Sequence, residues 1–228
     1  MKTTRVSKVS KAGKDGDPAV RTRVVEAAGT LFLSRGFVRV TSDEIAARLG
    51  ISKATLYKVF PSKEEMLRQV VRGVMTDILT GVERLIDDRS LGFVEKLAAL
   101  LSELAKGLSR FEPALVRDLQ RCAPGIWKEV EDFRREKILK NFKILLEDGR
   151  RQGGFRSDVD LDLLLAMFLD LVQRFVNPAA IARSGRSPVE TFQSVIKVFF
   201  QGILTDRGRR DFSSWNPALF QPGKESMS

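Results

Sequence analysis

The stretch from Thr41 to Leu67, TSDEIAARLGISKATLYKVFPSKEEML, constrains the fold of this chain more than any other segment. Thr41 and Glu44 have the spacing of a capping box, and Gly50 stands where a left-handed residue commonly ends a helix. Ser52 is placed to cap the next helix. The segment therefore predicts two short helices joined by a glycine turn, followed by the capped start of a third helix.

Two short helices joined by a turn of this kind form a helix-turn-helix, a module that places its second helix in the DNA major groove. In the second helix of this segment, Leu56 and Phe60 are expected to point inward. Lys53, Thr55 and Lys58 then remain on the outer face, where such side chains can contact phosphates and base edges. The segment predicts a DNA-binding surface.

The charge of the chain agrees with this hypothesis. Its formal net charge is +10, and residues 1–65 carry 13 Lys and Arg against 7 Asp and Glu. A basic surplus around a helix-turn-helix is the electrostatic footprint of phosphate binding. A basic protein without a nucleic-acid partner would not require that concentration, although the difference amounts to only a few charges.

The composition disfavours several kinds of chemistry. The chain has no histidine and one cysteine, Cys122, whereas zinc sites need grouped Cys and His and nucleophilic triads usually need a His base. No carboxylate pair, metal cluster or nucleotide-binding loop stands out. We therefore expect no catalytic residues, no metal and no cofactor, and we expect Cys122 to be a small buried residue.

The rest of the chain predicts helices and no strands, and hence an all-α fold. Apolar residues recur with a helical period, and no run is long enough to span a membrane. The predicted helices after the helix-turn-helix are 62–88, 93–108, 112–121, 126–152, 161–176 and 189–204. The predicted domains are a disordered basic arm (1–17), a three-helix DNA-binding domain (18–66), a helical ligand-binding and dimerisation domain (67–207) and a loose C-terminal tail (208–228).

The helices at 161–176 and 189–204 carry more apolar residues than one thin helical layer can cover. Two such helices from each of two protomers would bury the excess in a four-helix bundle. A homodimer would also present two recognition helices about 34 Å apart, one turn of DNA.

The basic arm, residues 1–17, is either an inert terminus or a segment that binds DNA. In the second case it follows the phosphates or enters a minor groove.

The segment from Thr41 to Leu67 resembles the TetR (tetracycline repressor) family of bacterial transcriptional regulators. The resemblance covers roughly residues 20–70 and rests on the IA pair, the glycine, Thr-Leu-Tyr, the phenylalanine and Ser-Lys-Glu. Where the family often has glycine before Thr-Leu-Tyr, this chain has Ala54. The remaining two thirds resemble the family in being helical and of the right length.

The resemblance implies a set of DNA contacts. Thr41, Tyr57 and Lys63 would contact phosphates, and Ser42 lies beside them at the start of the first short helix. The residues expected to face the major groove are Ser52, Lys53, Ala54, Thr55 and Lys58. Lys53 and Lys58 could reach guanine, although a phosphate contact that is blind to sequence is the alternative for both and the preferred one for Lys58.

The resemblance also implies a small-molecule pocket in the C-terminal domain. The candidate wall residues, each of which could equally be plain core, are Phe111, Leu115, Leu119, Trp127, Val130 and Met167. The expected effector is apolar or weakly polar, and an anion held by an arginine is the second choice. Arg117, Arg134 and Arg174, with Asp170, are the nearest polar candidates.

The leading hypothesis is a cytoplasmic, nucleoid-associated homodimer that binds a double-stranded DNA operator and is released by a small molecule. The alternative is an architectural DNA-binding protein that is indifferent to sequence. A third hypothesis, a helical enzyme with an incidental helix-turn-helix, has no catalytic constellation to support it.

Overall fold

The computed structural model describes residues 18–175, 185–186 and 188–215. The predicted arm (1–17) and the end of the predicted tail (216–228) lie outside these ranges. Within them the chain forms eleven α-helices, which agrees with the all-α prediction. In chain order these are α1 (Pro18–Arg35), α2 (Ser42–Leu49), α3 (Lys53–Val59), α4 (Lys63–Asp87), α5 (Phe93–Ser109), α6 (Pro113–Cys122), α7 (Pro124–Phe133), α8 (Leu139–Arg151), α9 (Leu161–Phe175), α10 (Pro188–Ile203) and α11 (Asp206–Trp215), with a π-helical turn (Arg134–Ile138) joining α7 to α8.

The short helices begin and end where the sequence predicts. The Thr41 hydroxyl accepts a hydrogen bond from the Glu44 backbone N–H, and the Glu44 carboxylate accepts one from the Thr41 N–H at 2.7 Å. Gly50 ends α2 with a φ of 65°, a conformation that glycine adopts without strain. Ser52 caps α3 in the same manner as Thr41 caps α2. These signals are reliable because each hydrogen bond joins residues only three positions apart.

Buried side chains form two hydrophobic cores. The N-terminal core contains the inward faces of α1 to α3 and the first half of α4, as the helix-turn-helix prediction requires. It also contains Leu115 and Leu119 of α6 and Ile126 of α7, all essentially inaccessible to solvent. The predicted boundary between residues 66 and 67 therefore divides α4 near its start and leaves out two helices that share this core.

The C-terminal core joins the second half of α4 to α5 and to α8–α11. Phenylalanine rings dominate it. The ring centroid of Phe200 lies about 6 Å from the ring centroids of Phe142, Phe155, Phe168 and Phe212. Such ring pairs contribute beyond their buried area because their edges and faces carry opposite partial charges. Since α4 supplies residues to both cores, this helix of 25 residues connects them rigidly over about 37 Å.

Two predictions fail where long-range packing decides the outcome. The tail predicted from residue 208 is wrong for 208–215, because α11 occupies that segment and buries Phe212 completely. Thr205 caps α11 by accepting from the Gly208 N–H at 3.1 Å, a signal that the sequence offers. Cys122, which we expected to be buried, is exposed at the end of α6. None of the helices in the described ranges combines the length and the apolar character that crossing a membrane requires.

We expect Phe212→Ala to lower the free energy of unfolding by about 3–5 kcal/mol, because it leaves a cavity in the C-terminal core. Arg210→Ala, on the exposed side of the same helix, should change it by less than about 0.5 kcal/mol. Urea denaturation at one fixed protein concentration measures both values. An equal, small effect of the two substitutions would show that α11 is not part of the core.

Candidate nucleic-acid interface and effector cavity

Helix α3 presents a polar, basic face to solvent. Its inward residues Leu56 and Phe60 are fully buried in the N-terminal core, which fixes the rotation of the helix. The predicted groove-facing residues are all exposed, and they are Ser52, Lys53, Ala54, Thr55 and Lys58. Tyr57 is exposed beside them. The structure therefore brings these six side chains to one helix on the protein surface.

The Lys53 ammonium forms an ion pair with a carboxylate of α2. Its Nζ lies 2.9 Å from Oδ2 of Asp43, and this hydrogen bond raises the pKa of Lys53 above its usual value. Both side chains are more than half exposed, so the pair adds little to stability. A base edge or a phosphate can replace Asp43 at low cost, and the pair holds Lys53 in place until then.

Ser42 has a different place from the one expected of it. Its side chain is buried, and its hydroxyl shares a hydrogen bond of 2.8 Å with the Tyr57 hydroxyl. The hydroxyl is therefore engaged inside the protein in this conformation, and a DNA contact at Ser42 stays a prediction. The bond ties α2 to α3 and orients the exposed Tyr57 ring.

Lys63 is also engaged inside the protein. Its ammonium donates to the carbonyl oxygens of Phe37 and Val40 at 2.9 and 2.8 Å and lies 4.2 Å from the centroid of the Phe37 ring. Burial lowers the pKa of Lys63, and the nearby Asp118 charge opposes that shift. Because an ammonium has three donors, one is left for a phosphate. The main contact of Lys63 is with the loop that leads into α2.

Thr41 is exposed at the first turn of α2. Its hydroxyl accepts the capping bond from Glu44 N–H and lies 3.0 Å from the Glu44 carboxylate. The backbone and hydroxyl of Thr41 lower the pKa of Glu44 by donating to it, and Arg35 adds a smaller effect. Thr41 thus stands at a helix N-terminus, where anions bind favourably.

An apolar cavity of about 100 Å³ lies between the two cores. Met75, Phe111 and Val130 form the wall that packs on the N-terminal core. The opposite wall belongs to the C-terminal core and includes Ile78, Leu104, Phe168, Val172 and Phe192. The wall residues lie between Met75 and Phe192 in the chain, so the cavity touches both cores but falls within the range 67–207 that the sequence predicts as the ligand-binding domain.

Two of the six predicted pocket residues, Phe111 and Val130, line this cavity, and four do not. Leu115 and Leu119 are buried in the N-terminal core, away from the cavity. Trp127 packs against that core, and Met167 is 51% exposed on α9. Helical periodicity shows that such residues lie on an apolar face, but not which neighbouring helix that face meets. For the same reason it missed most of the wall that the C-terminal core supplies.

A helix-turn-helix with an exposed basic second helix, attached to a helical body that holds an apolar cavity, defines a DNA-binding regulator. The sequence model for "Bacterial regulatory proteins, tetR family" matches residues 24–70. The HTH-type transcriptional repressor KstR2 of Rhodococcus jostii is 30% identical over 70% of this chain and 78% of its own length. The nucleoid occlusion factor SlmA of Photobacterium profundum is 30% identical over 75% of this chain and 89% of its own.

A solved structure of a transcriptional regulator has the same fold as this chain. The structure of the ketosteroid transcriptional regulator KstR2 of Mycobacterium tuberculosis superimposes with a TM-score of 0.55 at 24% identity, over 85% of this chain and all of that one. This chain belongs to the TetR family of bacterial regulatory proteins, and it is a helix-turn-helix transcriptional regulator.

We expect Lys53→Ala to change which DNA sequence is preferred, because a side chain that contacts a base edge determines specificity. Lys58→Ala is the matched control on the same helix. It should weaken binding to all sequences alike and reduce the salt slope of log K by about 0.9, the value for one phosphate contact. Selection from random DNA, followed by salt titration, measures both effects. Identical selected sequences for wild type and Lys53→Ala would contradict a base contact at Lys53.

Proposed function

We propose that this protein is a homodimeric transcriptional repressor, acting on operator DNA in the bacterial cytoplasm, and that a small, largely apolar molecule in the cavity releases it. The observation that carries the proposal is the position of the cavity between the two cores. A molecule that enters there must press on helices that also pack against the DNA-binding helices.

Helix α7 provides one route from the cavity to the DNA-binding domain. Val130 lines the cavity, and its neighbour Glu129 forms ion pairs with Arg68 and Arg72 of α4 at 3.0 and 2.9 Å. Arg68 is three-quarters buried and also binds Glu65 at 2.7 Å, so the contact is more than a loose surface pair. A shift of α7 therefore pulls on the first half of α4, which packs against α1.

Helix α6 begins two residues after the wall residue Phe111, and it provides a second route. The carboxylate of Asp118 accepts a hydrogen bond of 2.8 Å from the Val38 backbone N–H. Val38 lies in the loop between α1 and α2, the loop that Lys63 also holds. Displacement of α6 would therefore reach the start of α2, whose orientation relative to the groove determines DNA affinity.

The size of the cavity supports opposition between effector and DNA. Its volume of about 100 Å³ is below the roughly 300–1,000 Å³ typical of pockets that hold drug-sized ligands. A drug-sized effector must therefore separate the cavity walls. It favours a conformation in which the cavity is wider than it is here. If this conformation binds the operator, effector and operator lower each other's affinity by the same factor.

A repressor and an architectural protein are separable by the DNA that each selects, and the relatives' names alone do not make that distinction. KstR2 is named a repressor, whereas SlmA is named a nucleoid occlusion factor. An architectural protein that is indifferent to sequence would enrich no motif from random DNA. A repressor would enrich a motif with two-fold symmetry, because a dimer presents two α3 helices.

The proposal is tested by isolating the selected DNA site and titrating the complex with a panel of apolar compounds. We expect at least one compound to lower operator affinity by about 5- to 150-fold, the range of typical allosteric coupling. If compounds bind the protein and none changes its operator affinity, the C-terminal region serves dimerisation alone.

The proposed dimer surface lies on α9 and α10. Leu163 and Met167 lie one turn apart on α9 and are 60% and 51% exposed, and Val198 of α10 is 74% exposed. Large apolar side chains left in solvent on two packed helices mark an association surface. A four-helix bundle made from α9 and α10 of both protomers would cover them.

We expect Val198→Glu to dissociate the dimer, because it would bury an unpaired charge in the bundle. Val198→Thr keeps the shape of the side chain without a charge and should remain dimeric. This position is a better test than its neighbour Phe199, whose ring packs 5.2 Å from Phe168 inside the protomer. Light scattering at micromolar concentration distinguishes the two states. A dimeric Val198→Glu protein would place the interface elsewhere.

We expect Glu129→Gln to weaken the coupling between effector and operator by about 0.5–2 kcal/mol, since the ion pairs to α4 would be lost. Asp132→Asn is the matched control, because Asp132 pairs only with Lys128 of its own helix among the described ion pairs. The measurement is operator affinity with and without a saturating effector. Unchanged coupling in Glu129→Gln would remove α7 from the route.

A further inference from the structure

Arg134 is the one charged side chain that lines the cavity among the residues the structure describes. It stands at the start of the π-helical turn, in which the N–H of Leu139 bonds to the Arg134 carbonyl, five residues earlier. Arg134 and Leu139, which this wider turn joins, both line the cavity. π-Helical turns inside α-helices occur frequently at functional sites.

The guanidinium of Arg134 is held in place by a ring. It lies 5.5 Å from the centroid of the Trp127 ring. The Trp127 indole N–H donates to the carboxylate of Glu131 at 2.9 Å, which fixes the ring. A guanidinium stacked on an aromatic face keeps its N–H groups free, because they point outward in its own plane.

No carboxylate or carbonyl in the described part of the chain accepts a hydrogen bond from the Arg134 side chain. The charge of Glu131 favours the cation, yet the two side chains form no ion pair within 4 Å. Burial lowers the pKa of Arg134, but an arginine keeps its proton in proteins. The cavity wall therefore holds a partly buried positive charge without an oxygen partner in the described chain, and an anionic group that enters the cavity can supply one.

We propose that the cavity binds an amphipathic carboxylic acid, whose apolar chain occupies the space between the cores and whose carboxylate accepts two hydrogen bonds from Arg134. This inference rests on the proposed function, since it names the class of molecule that fills the same cavity. The other described wall residues are apolar and suit a hydrocarbon chain. The planar fork of a guanidinium matches the two oxygens of a carboxylate.

A carboxylate fits this site better than a phosphate monoester. A phosphate monoester carries about −1.5 to −2 charges at neutral pH, whereas the described wall offers one guanidinium. The negative charge of Glu131, close enough to act on Arg134, disfavours the second negative charge further. A singly charged acid matches the one guanidinium of the described wall.

The test uses the full-length protein and matched ligands that share one chain and differ in the head group: octanoate, octanamide and octyl phosphate, with hexanoate and decanoate to vary the chain. Calorimetry measures affinity. Tryptophan fluorescence in a Trp215→Phe background, where Trp127 is the one indole left, reports binding at the head group. We expect octanoate to bind at least about 10-fold more tightly than octanamide, because a hydrogen bond between two charged groups is stronger than one to a neutral amide. Octyl phosphate should bind more weakly than octanoate.

Arg134→Met should abolish the preference for octanoate and leave the affinity for octanamide within about 3-fold, as expected for loss of the head-group contact alone. Lys137→Met removes an exposed cation of the same turn that does not line the cavity, and it should keep the preference. Arg134→Lys keeps the charge but lacks the planar guanidinium, so it should retain part of the preference for octanoate.

The outcomes separate this inference from the proposed function. Equal binding of octanoate and octanamide by the wild type, or a preference that persists in Arg134→Met, would overturn the role of Arg134 and leave an effector cavity in place. If no ligand of the series binds the wild type, the acid proposal is overturned. Release of operator DNA by neutral apolar compounds alone would then support the proposed function without it.

Discussion

The packing of α6 and α7 into the N-terminal core is the constraint on which the rest of the structure depends. Leu115, Leu119 and Ile126 are as deeply buried there as the residues of the helix-turn-helix itself. A close-packed core transmits displacement instead of absorbing it. The DNA-binding helices therefore cannot be treated as a separate domain on a linker, and one wall of the cavity consists of residues that pack on their core.

Two kinds of contact hold this arrangement, and they serve different ends. The apolar contacts of α6 and α7 are non-directional and provide the stability. The polar contacts, Glu129 with Arg68 and Arg72 and Asp118 with the Val38 N–H, are directional and specify where the helices sit. Because these polar contacts are directional, the helices they join are expected to switch between distinct positions and not to slide gradually. Such a switch suits a protein that is either bound to DNA or released from it.

The sequence predicts the parts of this protein that local interactions determine. Thr41, Gly50 and Ser52 could be assigned correctly because their partners lie within a few residues of them in the chain. Leu119 and Met167 could not, since periodicity identifies an apolar face and not the surface that covers it. Phe212 was missed because two large apolar residues in a polar segment, Phe212 and Trp215, are too few to show a helical period. Long-range packing, which decides domain boundaries and cavity walls, leaves no trace in a short window of sequence.

Lys63 and Arg134 show how a structural cation differs from one that awaits a ligand. Both are partly buried, both lie against an aromatic ring and both have a pKa lowered by burial. Lys63 has two carbonyl oxygens within hydrogen-bond distance, so its charge is compensated by the fold. Arg134 lies near the charge of Glu131 but has no oxygen within hydrogen-bond distance among the described residues. The N–H groups of its guanidinium therefore stay available to the anionic head group that we propose for the effector.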